Sequence, residues 1–208
     1  GNLFFVDIPF GRIFCITAKG EWELVTEYDG WPNGLKIHKD GRMFVADYKR
    51  GIMVFDPEKG EVEPVVETMY SEGFKGCNDL HFAANGDLYF TDQGQTGVLD
   101  PTGRVFRIHG DSGRLEKLAD NIPSPNGITL NISEKLLLIA VTRTQQIWRC
   151  LVMADGSLSK TGVAIQLSGG HAGPDGIEVD GDDGLLVCHL GVGIWRFDSN
   201  FLPTHLVH

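Results

Sequence analysis

Apolar and polar positions along the chain fall into short runs rich in Val, Ile, Leu and Phe, punctuated by Gly, Asp and Asn. No stretch holds the 3.6-residue period of an amphipathic helix, and many of the 27 glycines fall between runs. The pattern predicts an all-β chain.

The runs also repeat. Aligned on one polar residue, the chain reads Asn33, Asn78, Asn126 and Asp175, at separations of 45, 48 and 49 residues. Two positions on stand Leu35, Leu80, Ile128 and Ile177; four on stand Ile37, Phe82, Leu130 and Val179. A second apolar run follows each (GRMFVAD, GDLYFTD, EKLLLIAV, GLLVCHL), then a third (GIMVFDP, GRVFRIH, QIWRCLV, GIWRFDS). Most copies add a fourth, such as GEVEPVVE or GRLEKLAD. Four strands per unit of roughly 40–50 residues predict a β-propeller of four-stranded antiparallel blades. The opening GNLFFVD…GRIFCIT fits the second and third strands of a unit, with Gly1 on Gly41 and Asp7 on Asp47. The expectation is one propeller domain over residues 1–208, with one partial and four nearly full blades. A propeller closes into a ring, so the first inner strand and a closing blade are expected outside these residues.

Composition narrows the partners. A net charge of −10, from 18 basic and 28 acidic residues, argues against nucleic acid, whose phosphates call for clustered Lys and Arg. No apolar run approaches the roughly 20 residues of a membrane span, so no membrane partner is expected. Cys15, Cys77, Cys150 and Cys188 lie far apart and form no CxxC pair. They read as small buried apolar residues in a reducing compartment, which places the protein in the cytoplasm. Oligomeric state is left open.

The aligned polar residues are the candidate chemistry. At the mouth of each innermost strand they point into the central channel, so Asn78, Asn126 and Asp175 converge despite their separation. Two amide oxygens and a carboxylate are hard donors, suited to Ca²⁺ or Mg²⁺ rather than to zinc. One acid among amides is a low charge for a divalent ion, so a further carboxylate is expected in the missing first strand. Asn-Gly and Asp-Gly steps also make turns. Four in one register, each leading into a strand, favour a shared site.

The ordered set LFFVDIPFGRIF, GCNDLHFAANGDLYFTD, PNGITL and GPDGIEVDGDDGLLV resembles the SMP-30/gluconolactonase/LRE-like family, over essentially the whole chain. It is also similar to structural relatives of the diisopropylfluorophosphatase type. The resemblance implies a six-bladed propeller with a divalent metal in its tunnel, usually calcium, with Mg²⁺, Mn²⁺ or Zn²⁺ as alternatives. The family's ligands are a Glu of the first blade, two Asn and an Asp. Asn78 and Asn126 match the two Asn, Asp175 matches the Asp, and the Glu would precede Gly1. Asn33 matches no ligand and is kept, with the loop residue His171, as a candidate substrate contact.

The implied activity is ester hydrolysis, opening a sugar or other small lactone. The metal would polarise the carbonyl, while Asp175 deprotonates the attacking water or itself attacks. The rival readings are a phosphotriesterase-like hydrolase, a strictosidine-synthase-like propeller, and a non-catalytic calcium-stabilised binding module. Two departures bear on substrate. Sugar-acid lactonases of this type often carry Arg where this chain has Gly76, and an acid in the loop where it has Gln93–Gly97. Ser112 of GDSG and the DGDDG step at 180–184 read as blade turns, and Trp148 and Trp195 as blade packing.

Overall fold

Met43–Asp47 is buried at all five positions, and a strand of that kind must be covered on both faces. The computed structural model, which describes residues 1–208, shows how. Five antiparallel sheets follow one another in chain order. The first has three strands, β1 (Leu3–Asp7), β2 (Arg12–Ile16) and β3 (Trp22–Glu27). The second is β4 (Pro32–Ile37), β5 (Met43–Asp47), β6 (Gly51–Asp56) and β7 (Glu61–Val66), followed by a hairpin of β8 (Thr68–Met69) and β9 (Glu72–Gly73). The third is β10 (Cys77–Phe82), β11 (Leu88–Asp92), β12 (Gly103–Ile108) and β13 (Leu115–Ile122). The fourth is β14 (Pro125–Leu130), β15 (Leu136–Val141), β16 (Gln146–Val152) and β17 (Leu158–Gln166). The fifth is β18 (Pro174–Val179), β19 (Leu185–His189), β20 (Gly193–Phe197) and β21 (Pro203–Val207). The partial first blade and four fuller ones match the expectation from the repeat.

Each inner sheet gives one face to each neighbour, and the pleat sorts side chains between them. Met43 and Val45 join Ile13 in the core between blades one and two, while Phe44 and Ala46 join Leu80 and Phe90 in the next. Tyr89 and Val105 meet Ile128 and Ile139 between blades three and four. Leu138 and Ala140 meet Ile177 and Val187 between four and five. Trp148 and Trp195 pack against the last two of these cores. Burial on both faces is why the middle strands read as unbroken apolar runs, whereas the outer strand β7 is mostly exposed.

The outward faces of the first and last sheets have no neighbour among these residues. Phe5, Phe14 and Trp22 cluster on the first, with Trp22 67% exposed. Ile194 and Val207 are exposed on the last. Cys188 shares that open face and is exposed, which corrects the expectation that all four cysteines are buried. No helix is long and apolar enough to cross a membrane.

Buried carboxylates pin the chain ahead of the inner strands. Asp92, fully buried at the end of β11, accepts the amides of Lys75 (2.7 Å) and Gly76 (2.9 Å). Its other oxygen meets Arg104 at 2.6 Å. Asp47 holds the segment ahead of β4 by accepting the Tyr28 hydroxyl at 2.7 Å, and it closes the β5–β6 turn by accepting the amides of Lys49 and Arg50, both at 2.8 Å. Burial, and then the Asp47 charge, push the Tyr28 phenol up. Removing one partner of a buried pair strands the other, so Arg104→Ala is expected to cost about 3–5 kcal/mol. Urea unfolding checks it, and a loss below about 1 kcal/mol contradicts this role for the pair.

Candidate functional site

Strict alternation along β10 would put Asn78 on the face of Leu80, inside the core between blades. A β-bulge prevents it. Cys77 pairs with Asp92 and Leu80 with Phe90, so the strand spends one residue more than its neighbour across Asn78–Asp79. Cys77 and Leu80 therefore both enter the same core, and Asn78 turns away from it. The same irregularity lies between Pro32 and Gly34, Pro125 and Ile128, and Pro174 and Ile177. The Asn-Gly and Asp-Gly steps are thus neither turns nor ordinary strand residues.

Four inner strands so bulged deliver Asn33, Asn78, Asn126 and Asp175 to one cavity of about 430 Å³. Asn78 and Asn126 are 7% and 6% exposed, while Asn33 and Asp175 are half-buried. His171 is exposed in the loop before β18 and does not line this cavity. Ser112 and the DGDDG step sit at blade turns, outside it.

The bulge glycines let the strands approach. A Cβ at Gly34 would stand 2.7 Å from the Asn78 carbonyl oxygen, and one at Gly127 would stand 2.6 Å from that of Asp175. In β10 this place is taken by Asp79, a departure the sequence reading passed over. Its carboxylate accepts the amides of Leu80 (2.9 Å) and of Ile128 on β14 (3.0 Å), tying the two inner strands together. Burial pushes the Asp79 carboxyl up to about 6, against the pull of those two amides.

A second polar tier also went unread in the sequence. It stands three residues beyond each member of the first: Lys36, His81, Thr129 and Glu178. The Lys36 ammonium pairs with the Glu178 carboxylate, joining β4 to β18. Glu178 also takes a long contact from the Thr129 hydroxyl (3.4 Å), which lies 3.2 Å from His81 Nδ1. Burial raises the Glu178 carboxyl, but Lys36 outweighs it and holds the group below its ordinary range. Burial and the same ammonium lower His81. The signal was present as a constant offset from the first tier.

Of the three carboxylates on this cavity, Asp79 is held by amides and Glu178 by Lys36. Asp175 alone is unengaged and free to meet a ligand. Two amides and one available carboxylate form an oxygen donor set that fits a hard cation. No three His, Cys, Asp or Glu side chains cluster so as to hold a metal ion by themselves, so any such donor set here depends on the two amides as well as Asp175.

The profile of the SMP-30/Gluconolactonase/LRE-like region matches residues 1–200. The chain belongs to that family. This family member is 32% identical over 204 residues to Lactonase drp35 of Staphylococcus epidermidis, a match covering 93% of the chain and 61% of that relative. It thus spans about three-fifths of the length of the curated relatives it matches. A gluconolactonase structure from Xanthomonas campestris aligns with TM-score 0.88 at 23% identity, over 99% of this chain and 71% of that one. Regucalcin from Agrobacterium tumefaciens, a calcium-binding protein, aligns with TM-score 0.83 at 20% identity, over 99% and 69%. At those identities the two structures show the fold.

Asp79 gives this family member a distinct pH dependence. Its folded-state value lies above its unfolded one, so its contribution is complete below about pH 4 and lost as pH rises through about 6, on the order of 3 kcal/mol. Asp79→Asn removes that titration and is expected to flatten the fall in stability across the window. Urea unfolding under chelator from about pH 4 to 7 checks it; a slope equal to that of the unaltered chain contradicts it.

Proposed function

We propose that the protein is a metal-dependent lactonase, opening a sugar or other small lactone at the cavity shared by the four inner strands. One observation carries this reading: Asn78, Asn126 and the unengaged Asp175 line one cavity of a family whose curated relatives include Lactonase drp35. A hard cation would be held by the two amide oxygens and Asp175, with Ca²⁺ the best match to these donors and to the calcium binding of the regucalcin neighbour. A carboxylate outside residues 1–208 would complete the set. A sixth blade is supported by the apolar faces open on the first and last sheets, and makes these residues part of one propeller domain. Four free cysteines fit the reducing cytoplasm.

The cation, when bound, supplies Lewis-acid polarisation of the lactone carbonyl. Asn78 and Asn126 keep fixed dipoles on that side of the cavity. Asp175 orients a water and takes its proton as the water oxygen attacks the carbonyl carbon. The ring C–O bond then breaks, the leaving alkoxide receives that proton, and the product is an open hydroxy acid. Asn33 lines the cavity wall, which supports a role for it in bonding the lactone's polar groups.

Gly76 bears on which lactone. It holds φ +148, and a Cβ there would lie 2.5 Å from the Tyr48 ring. The space that an arginine would use is filled by that ring, whose hydroxyl accepts the Gln95 amide at 2.8 Å. This disfavours aldonolactones that rely on such an arginine.

In a panel of γ- and δ-lactones followed by pH-stat, turnover is expected to disappear with chelator and return with Ca²⁺. Asp175→Asn is expected to lower kcat by at least about 10³-fold without changing the circular dichroism spectrum. Calcium that raises the melting temperature without any turnover would instead identify a binding module. Gly76→Arg is expected to lower the melting temperature rather than improve aldonolactone turnover; better turnover at unchanged stability would overturn the steric reading.

A further inference from the structure

Asn78 can serve a cation only through Oδ1, yet its amide is nearly symmetric in shape, and a half-turn about χ2 would present Nδ2 instead. Something must fix the rotation. Its Nδ2 donates to Oε1 of Gln93 at 2.8 Å, from the loop after β11. Gln93 is an amide too and needs its own anchor, which its Nε2 finds on Ser124 Oγ at 2.8 Å. Ser124 is 2% exposed, and its backbone amide donates to Thr96 Oγ1 at 3.0 Å. Thr96, 7% exposed, returns the chain of bonds to the Gln93 carbonyl at 2.8 Å. The Gln93 backbone amide donates to the Gly76 carbonyl at 2.9 Å, two residues ahead of Asn78.

Gln93, Ser124 and Thr96 thus form a closed loop of hydrogen bonds behind Asn78, lining a neighbouring hollow and not the cavity itself. Ser124 also holds φ +64, strained for a residue with a side chain, immediately before Pro125 and Asn126. Its carbonyl is fixed by the Thr142 amide at 3.1 Å. One cluster therefore reaches both amide donors, Asn78 through its side chain and Asn126 through the adjoining backbone. We infer that Gln93 is a positioning residue, which locks the Asn78 amide with Oδ1 toward the cavity and so sets the affinity for the divalent cation. This rests on the reading of Asn78 as a ligand.

The test compares Gln93→Leu, which cannot hold the amide, with Gln93→Glu, whose oxygens can only accept and so still draw Asn78 Nδ2. Ser124→Ala, which leaves Gln93 in place but unanchored, is the milder third variant. Isothermal titration of the full chain with Ca²⁺ is expected to show binding weakened by about 10–100-fold in Gln93→Leu. Ser124→Ala should fall between, and Gln93→Glu should bind at least as tightly as the unaltered chain. Lactone turnover in Gln93→Leu should return at saturating Ca²⁺, which a variant with a merely distorted fold would not show. In metal-free protein, the Asn78 side-chain NH₂ protons should be protected from exchange by NMR and lose that protection in Gln93→Leu. Unchanged Ca²⁺ affinity in Gln93→Leu, or unprotected protons in the unaltered chain, would overturn the inference. Protection that depends on Gln93 in a chain that binds no Ca²⁺ would support the lock on Asn78 and overturn the metal reading alone.

Discussion

One extra residue in each of the four inner strands governs the position of Asn33, Asn78, Asn126 and Asp175. Without it, the period of two would send Asn78, Asn126 and Asp175 into the apolar layers beside Leu80, Ile128 and Ile177, where an unpaired amide or carboxylate is costly. With it, the apolar residues on either side of the bulge keep a common face, and the polar residue turns to the axis. The shift persists along the strand, so the residue three further on faces the axis as well. That is why a second tier, Lys36, His81, Thr129 and Glu178, lies beyond the first.

Bringing three carboxylates to one cavity would be unfavourable if all were left charged and unpaired. The chain treats each differently. Asp79 receives backbone amides from two strands, and burial still raises it. Glu178 is matched by an ammonium from the other side of the cavity. Asp175 gets neither, and is the one whose charge remains available to a ligand. The difference between a structural and a chemical acid here lies in their partners, since all three are the same functional group in the same hollow.

The blade architecture was legible because two-sided burial writes itself into consecutive residues, as in Met43–Asp47 and Leu136–Val141. The ring of polar residues was legible as an interruption recurring in register. Which way those residues point was not, since a bulge adds a residue without changing the look of the run. Asp79 was overlooked for a related reason: in the line Gly34, Asp79, Gly127, Gly176 it looks like a tolerated substitution. Only the contact with Ile128 on the next strand shows it replacing a backbone approach with a hydrogen bond. Gln93 drew notice as a missing acid, and its bond to Asn78 joins positions 15 residues apart that no local pattern connects. The exposure of Cys188 depends on whether a neighbouring sheet covers that face, which alternation within one strand does not encode.

A cation site built from amide oxygens depends on rigidity more than one built from carboxylates, because a neutral donor contributes little unless its dipole is already aimed. The segments that lead into the inner strands are accordingly fastened by groups near the ends of the second strands. Asp92 does this with a carboxylate on the Lys75 and Gly76 amides, and Asp47 with a carboxylate on the Tyr28 hydroxyl. Thr142 does it with a hydroxyl on the Pro174 carbonyl, at 2.7 Å, directly ahead of Asp175. Thr91 does it from within β11, donating to the carbonyl of Asn126 itself at 2.7 Å. The fasteners differ in residue type and sit within one residue of the same strand end, and Thr142 and Thr91 reach across to the neighbouring blade. The ring of polar residues is therefore held from outside by the same inter-blade contacts that hold the fold, so distortion at one blade boundary moves a proposed ligand as well as a core.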